Sequence, residues 1–578
     1  MRFSVLVAAI LLSGAALLHA DTAPVEAAVY RQLAEQPTVP VWVFFTDKGD
    51  NGFAKLADVE AALLPRARER RLRNRGAGNL VDRHDMPVPA RYRNAVKERA
   101  TRLRHTLRWF NAVTAEVNAD QLESIRALPF VERIERVATF TMPAPELTEV
   151  AVDALDRFDR GAGTTSLNYG GSFSQNQIMN TIPLHDLGFD GSGVLIASFD
   201  SGFNNFGHQA LQHLSVLHTW DFINGDSIVT DQGMPDDHNH GTYTLSSLAG
   251  YFEGQLVGPA YGADFLLAKT ENVSYERHIE EDNWAAAAEW ADSLGADIIT
   301  SSLGYRDFDF GEGDYTTATL DGNTAIITIA ADLAASRGIL VVTSAGNGGS
   351  APFPGESTIG APADGDSVLA VGAVNPDRSR SSFSSVGPTG DGRIKPDVMA
   401  QGTQVVCISS QRIDGYVGLS GTSFSCPLTA GAAALLLQAD PTLTNMEIIE
   451  ALKNTADNAL SPDNEYGWGI IDAHAAWTYT TTGLGDGENL PERLTLFPAY
   501  PNPFNPSTTI RFYLAESGPM TLRVYNPLGQ VVDVIENGFR NAGEHRVEWN
   551  AEGLNSGVYF ISLSRGRDVA MRKVVFLK

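Results

Sequence analysis

The sequence predicts an α/β fold for residues 146–480, a parallel sheet with helices on both faces, preceded by a small α+β region over 21–145 and followed by a β-sandwich over 490–578. Three observations carry this. Strands that are apolar throughout, rather than alternating, recur from Val194 to Val371 with helix-forming stretches between them, as expected of strands buried on both faces. Ahead of them lies a shorter mixed series of strands and helices. Beyond Thr478 the pattern changes to Pro/Asn turns and short alternating strands.

Taken in order, the chain opens on Met1-Arg2 and a mostly apolar run from Phe3 to Leu18 that closes on Leu18-His19-Ala20, the form of a secretory signal peptide over 1–20. The run is short for a membrane span and is broken by Ser4, Ser13 and Gly14. No later stretch looks transmembrane, so no span is expected in the mature form. Val41 to Phe45 reads as a strand, Ala90 to Arg108 as a helix and Ala112 to Val117 as an alternating strand. A helix opens at Asp120, and Val131 to Val137 is a further strand. From Thr141 to Gly171 Pro, Gly, Ser and acidic residues mark an exposed linker open to proteolysis.

In the central region the expected strands cover Val194 to Phe199, Asp264 to Ala268, Asp297 to Ile299, Gly338 to Val342 and Val368 to Val371, with helices from Trp284 to Leu294 and Thr324 to Arg337. Such βαβ series place functional groups at the carboxyl ends of the strands. A Thr- and Gly-rich stretch from Thr478 to Asn489 ends this region. The last region holds alternating strands such as Thr521 to Tyr525 and His545 to Trp549.

Composition narrows the function. A formal net charge of −26 repels the phosphate backbone and argues against nucleic acid as a partner. Arginine is dense at Arg66, Arg68, Arg70, Arg71, Arg73 and Arg75, and again at Arg99, Arg102, Arg104 and Arg108, so the rest of the chain is more acidic still and the two parts should attract. Two cysteines, Cys407 and Cys426, exclude a disulfide-built scaffold, and both a single disulfide and two inert thiols are compatible with them.

Four short segments carry chemistry. Asp200 ends an apolar strand in Ile196-Ala197-Ser198-Phe199-Asp200-Ser201-Gly202, where a carboxylate can orient an imidazole; taken alone it is an Asp before a turn. His240 opens the small-residue run after Asn239-His240-Gly241-Thr242, so the imidazole projects from a first helical turn; taken alone it is one histidine of twelve. Ser423, in Gly421-Thr422-Ser423-Phe424-Ser425-Cys426-Pro427, stands at the mouth of a buried helix. There the helix dipole and unpaired NH groups stabilise an oxyanion, and Pro427 is placed in the first turn, which needs no donor. A plain Ser cap is the competing reading. Asn347, after the strand ending Thr343-Ser344-Ala345-Gly346, can aim its amide at the same oxyanion or serve only the turn.

These motifs, Asp200-Ser201-Gly202, His240-Gly241-Thr242, Ser344-Ala345-Gly346-Asn347 and Gly421-Thr422-Ser423 with Pro427, make the chain resemble the subtilisin-like serine proteases (peptidase S8). The order Asp, His, Ser is that of the subtilisin template and not of the α/β-hydrolases. The resemblance implies a serine endopeptidase with Ser423 as nucleophile, His240 as general base, Asp200 as its orienter and Asn347 in the oxyanion hole. It also implies that Ser302-Leu303-Gly304 and Gly346 line the cleft for polypeptide substrates. Departures lie around the triad: Tyr243 stands where the family often has a second histidine, and Phe424, Ser425 and Cys426 follow the nucleophile.

Residues 21–145 resemble the inhibitory propeptides of these proteases, with a tail near Thr141 to Pro145 placed to lie in the cleft. Leu184 to Gly193 resembles the start of their mature domains, so processing is expected before Gln177. Tyr500-Pro501-Asn502-Pro503-Phe504-Asn505-Pro506 and the strand Leu554 to Tyr559 are similar to the sorting domains of type IX secretion, which implies secretion machinery as a partner and a secreted or cell-surface location. An immunoglobulin-like stalk without a sorting role has the same turn chemistry. No cofactor and no catalytic metal are expected. Structural calcium is compatible with the acidic loop of Asp231, Asp236 and Asp237. The alternative function is a catalytically inactive protease-like surface binding module. An esterase lacks support because Ser423 is not in a Gly-x-Ser-x-Gly turn.

Overall fold

The amino-terminal region folds around an antiparallel sheet whose central strand serves two cores. The computed structural model describes residues 22–49, 54–137, 139–140, 150–151, 165–230, 239–272, 278–306, 315–351, 353, 355–482, 494–496, 499, 504, 506–566 and 568–576. The expected leader, the tail at Thr141 to Pro145 and the Asp231, Asp236 and Asp237 loop lie outside them. The amino-terminal elements are α1 (Ala27–Glu35), β1 (Val39–Phe45), α2 (Ala54–Ala61), α3 (Pro65–Arg75), α4 (Ala90–Lys97), β2 (Arg102–Leu107), β3 (Ala112–Val117), α5 (Ala119–Arg126) and β4 (Val131–Arg136).

The sheet order is β2-β3-β1-β4. Side chains alternate across β1, so Val41, Val43 and Phe45 join Val113, Leu122 and Ile134 in a local core, while Trp42 and Phe44 enter the core of the central region beside Trp284 and Ala288. The single helix expected from Ala90 to Arg108 is instead α4 followed by β2. Leu103 and Leu107 gain more by pairing beside Ala115 and Ala112 of β3 than local helix propensity supplies. α5 is capped by Asn118, which exchanges bonds with Gln121, and Asp120 sits inside its first turn.

Two short strands follow, β5 (Thr139–Phe140) and β6 (Val150–Ala151). The central region then holds α6 (Phe173–Ile178), α7 (Ile182–Asp186), β7 (Leu195–Asp200), β8 (Ser215–Asp221), α8 (Asn239–Ala249), β9 (Tyr251–Phe252), β10 (Leu256–Val257), β11 (Asp264–Lys269), β12 (Glu271–Asn272), β13 (His278–Glu280), α9 (Glu281–Leu294), β14 (Ile298–Ser301), α10 (Ile326–Ser336), β15 (Leu340–Ser344), β16 (Leu369–Val374) and β17 (Val398–Gln401). It closes with β18 (Val405–Ile408), β19 (Tyr416–Leu419), α11 (Thr422–Ala439), α12 (Asn445–Asn454) and α13 (Ala473–Thr482).

Seven parallel strands form one sheet in the order β17-β16-β15-β14-β7-β11-β8. The five apolar strands expected from the sequence are its middle, and β8 and β17 are added at its edges. One face, with Leu195, Ala197, Phe199, Leu266, Ile299 and Val341, is covered by α9 and α10. The helices α8 and α11 pack together on the other face, and α11 is buried on all sides from Thr422 to Leu437. β5 pairs with β13, and β6 with β19, so the segments flanking 141–149 each add a strand to the central region.

The arginines of α3 and β2 meet carboxylates of the central region. Asp292 of α9 is 1% exposed and accepts from Arg70, from Arg71 at 2.7 Å and from Arg108 at 2.9 Å. Burial alone would raise this carboxyl, but the Arg70, Arg71 and Arg108 guanidiniums outweigh it and hold the group below its ordinary pKa. Arg71 also binds Asp85, as does Arg337 at the end of α10. Arg104 binds Asp282 at 2.9 Å, and Glu289 accepts the backbone NH groups of Arg108 and Trp109. Arg66 and Arg73 bind Asp297, just before β14.

A second compact unit begins at Thr478. It holds β20 (Thr495–Leu496), β21 (Ser507–Leu514), β22 (Gly518–Tyr525), β23 (Val531–Arg540), β24 (Gly543–Asn550), β25 (Gly557–Arg565) and β26 (Asp568–Phe576). Sheets ordered β20-β21-β24 and β23-β22-β25-β26 enclose Ile510, Phe512, Leu522, Val524, Trp549, Ile561, Leu563 and Phe576, the sandwich expected from the sequence.

Candidate active site

Three elements bring Asp200, His240 and Ser423 to the carboxyl end of the sheet. Asp200 is the last residue of β7, His240 the second of α8 and Ser423 the second of α11. The approach of α8 to the turn after β7 needs Gly241, since a Cβ there would stand 2.1 Å from the carbonyl oxygen of Gly202.

The His240 Nδ1 lies 2.7 Å from Asp200 Oδ1. A carboxylate only accepts, so Nδ1 carries the proton and Nε2 is left as the acceptor. Asp200 is itself fixed by the Ser201 NH at 2.8 Å on Oδ1 and the Thr244 hydroxyl at 2.9 Å on Oδ2. Burial pushes the His240 pKa down, but the charge and hydrogen bond of Asp200 more than offset it and hold the imidazole above its ordinary value. Nε2 has no hydrogen-bond partner among the described residues.

Ser423 Oγ donates to the carbonyl of Ser302 at 3.2 Å rather than to His240. In return the Ser302 hydroxyl donates to the carbonyl of Ser423 at 2.8 Å. Pro427 explains this exchange and corrects its expected placement: it is the sixth residue of α11, beyond the first turn. A residue there with an NH would bond the Ser423 carbonyl four positions back; proline cannot, and Ser302 supplies the missing donor. The Ser302 side chain is thus turned to the Ser423 backbone.

Asn347 is exposed in the loop after β15. Its Oδ1 accepts from the NH and the hydroxyl of Thr422, both at 2.9 Å. A backbone NH only donates, so the carboxamide orientation is determined and Nδ2 is the free donor beside the start of α11. Leu303 is buried, with its carbonyl accepting from Ser344 Oγ at 3.2 Å. Gly304 faces Gly346, with 4.0 Å between a Cβ built on the first and the Cα of the second. The residues picked from the sequence therefore come together around the ends of β7, β14 and β15 and the start of α11.

Sequence reasoning missed Thr244 and Glu271. Thr244 sits one helical turn after His240, the spacing that could have marked it. Glu271 is fully buried and accepts from Tyr305 OH at 2.8 Å; a carboxyl two residues beyond the end of β11 was its signal. Cys407 and Cys426 are both buried and form no disulfide, and burial pushes the Cys426 thiol up to about 12, which argues against a reactive thiolate there. Among the described residues no group of three or more His, Cys, Asp or Glu side chains could hold a metal ion, and no helix is long and apolar enough to cross a membrane.

Comparison with known proteins agrees with this geometry. Family models described as the Subtilase family, a peptidase S8 propeptide domain of Bacteroidota and a secretion system C-terminal sorting domain match residues 191–469, 40–149 and 498–577. Subtilisin DY of Bacillus licheniformis is 34% identical over 292 residues, 50% of this chain and 92% of the relative. Subtilisin of Bacillus pumilus is 35% identical over 301 residues, 51% of this chain and 94% of that one, and subtilisin E of Bacillus subtilis is 35% identical over 298 residues, 51% and 68%. The sorting domain makes this a secreted or cell-surface protein. With a matched propeptide, a matched sorting tail and two relatives aligned over more than nine-tenths of their length, the chain belongs to the subtilase family of serine peptidases.

Proposed function

We propose that the chain is an exported serine endopeptidase that hydrolyses polypeptides through an acyl-enzyme. The observation that carries this reading is the His240 to Asp200 bond at 2.7 Å, which leaves Nε2 as an unpartnered buried acceptor. Ser423 Oγ turns from the Ser302 carbonyl to Nε2, attacks the peptide carbonyl and gives its proton to His240, which returns it to the leaving amine. Asp200 holds the tautomer and stabilises the imidazolium. The Asn347 Nδ2 and the Ser423 NH at the start of α11 donate to the oxyanion. An extended substrate lies between Ser302-Leu303-Gly304 and the Gly346 loop, adding a strand through its backbone. No step uses a metal.

The domain limits that go with this reading are a signal peptide over 1–20, an inhibitory propeptide over 21–145, a catalytic domain over 146–480 and a sorting domain over 490–578. The test is fluorophosphonate labelling of purified wild-type and Ser423→Ala protein, with the mass of each labelled band. Label confined to a shortened wild-type species is expected. A folded, propeptide-free wild type that takes no label would instead make the chain a protease-like binding module.

A further inference from the structure

The chain that joins the amino-terminal region to the catalytic region adds one strand on each side of the triad. β5 belongs to the sheet β12-β13-β5, with Phe140 opposite Ile279 and Thr139 opposite Glu280, and β12 opens two residues past Lys269, which pairs with Asp200. β6 belongs to the sheet β18-β19-β6, with Val150 opposite Gly418 and Ala151 opposite Val417. Ser423 stands four residues past Leu419, the end of β19. The pairing is antiparallel and Val150 faces the residue nearer Ser423, so β6 is entered from the side of the nucleophile. Among the described residues no other strand covers that edge of β19.

We propose that this edge of β19 is the docking strand for the part of an extended polypeptide that follows the scissile bond, and that β6 occupies it in the chain itself, so that full activity needs a second cut beyond Ala151. This rests on the reading of Ser423 as nucleophile and of 145 as the last propeptide residue. A cut at 145 removes α1 to β5 but leaves β6 joined to the catalytic region. The far end of that connection is built in. Tyr169 is 2% exposed, Ser172 Oγ donates to its carbonyl at 2.8 Å, and a Cβ on Gly170 would stand 2.3 Å from the Gly254 carbonyl oxygen. Gln175 accepts the Val406 NH at 2.8 Å, and Val406 of β18 lies opposite the same Gly418 that Val150 faces from the other side. A strand tethered in this way rebinds its edge as an intramolecular ligand, at an effective concentration on the order of millimolar for a short linker. The backbone groups of β19 that β6 occupies are those an added substrate strand would use. Each cut hydrolyses one peptide bond: water gives its hydroxyl to the carbonyl carbon and its proton to the leaving amine.

The test follows full-length wild type as it processes, with the products separated, identified by mass and assayed. Two species are expected in succession, one that begins between 141 and 150 and keeps β6, and one that begins between 152 and 165. Both should take a fluorophosphonate label. For a peptide with several residues after the scissile bond, the apparent KM of the first species should be about tenfold or more above that of the second, because it rises by the inverse of the fraction of open cleft. A substrate whose leaving group is p-nitroaniline never reaches β19 and should separate the two by less than about twofold. Val150→Pro with Ala151→Pro removes both backbone NH groups and should give the lower KM after the first cut alone, whereas Val150→Ala keeps them and should behave as wild type. A first cut that falls beyond Ala151, a β6-bearing species that matches the final one on the extended peptide, or an unlowered KM in the double proline variant overturns the proposal. A folded, shortened species that takes no label sinks the reading of Ser423, whereas equal labelling with equal KM values sinks only the role of β6.

Discussion

Replacing Asp292 by Ala should release the propeptide without touching the chemistry. In the intact chain this carboxylate is 1% exposed and receives Arg70, Arg71 and Arg108, and the Arg70 side chain is itself 0% exposed. Arg71 retains Asp85 in the variant, but Arg70 is left with backbone carbonyls of Ala296, Arg337 and Asp292 as its partners. Removing one member of a buried, hydrogen-bonded pair costs about 3–5 kcal/mol, because the other charge stays desolvated. At about 1.4 kcal/mol per decade, the propeptide should bind roughly two to three and a half orders of magnitude more weakly. The assay is slow-binding inhibition of mature wild-type and Asp292→Ala enzymes by one wild-type propeptide. Their uninhibited kcat should agree, since none of Asp200, His240 and Ser423 lies on α9. An inhibition constant within about threefold of wild type would refute the claim that this buried ion cluster holds the zymogen together.

On the proposed mechanism Asn347→Leu should lower kcat by about 10²–10³ with little change in KM, since there Nδ2 acts on charge that develops only in the transition state; steady-state kinetics on one peptide checks it. Ser302→Ala leaves the buried Ser423 carbonyl without its donor and should cost about 1–3 kcal/mol in the chemical unfolding of the full-length chain. Adding Pro427→Ala to Ser302→Ala should recover part of that loss, because α11 then supplies its own NH to Ser423, and a double-mutant cycle with no coupling would contradict the exchange described for this pair.

Much of the centre of the fold is legible because burial on both faces writes itself into a strand: Ile196 to Phe199 and Leu340 to Val342 have no polar position to spare beyond Ser198. β8 escaped notice because it is an edge strand, and His218, Thr219 and Trp220 face solvent in part. β17, the other edge strand, was missed as well, although its four residues are all buried. The site was legible through small residues demanded by close approach, Gly241 against Gly202 above all. What stayed hidden were pairings across long stretches of chain. The density of arginine in α3 reads as a face drawn to the acidic rest of the chain, and Arg70 and Arg71 do meet a carboxylate there, but which one, and that both would be among the most buried side chains, stayed hidden because Asp292 lies more than two hundred residues away. Pro427 was misplaced for a related reason: its meaning lies in the Ser302 hydroxyl that answers for its missing NH, and nothing in the helix itself shows that.

The placement of α3 has a consequence in time. Arg66 holds the Gly193 carbonyl just before β7 and Asp297 just before β14, and Arg70 holds the Ala296 and Arg337 carbonyls, the second shortly before β15. These three strands are neighbours in the sheet but are separated in sequence by whole helices, and parallel strands of that kind find one another slowly because long loops must close first. If it forms early, one helix that grips the starting points of all three would act as a jig, setting their order and spacing ahead of the sheet's own bonds. When it leaves, the finished sheet keeps the arrangement but loses the tool that made it. The mature enzyme should then persist through a slow rate of unfolding, and a molecule that does unfold has no comparable route home.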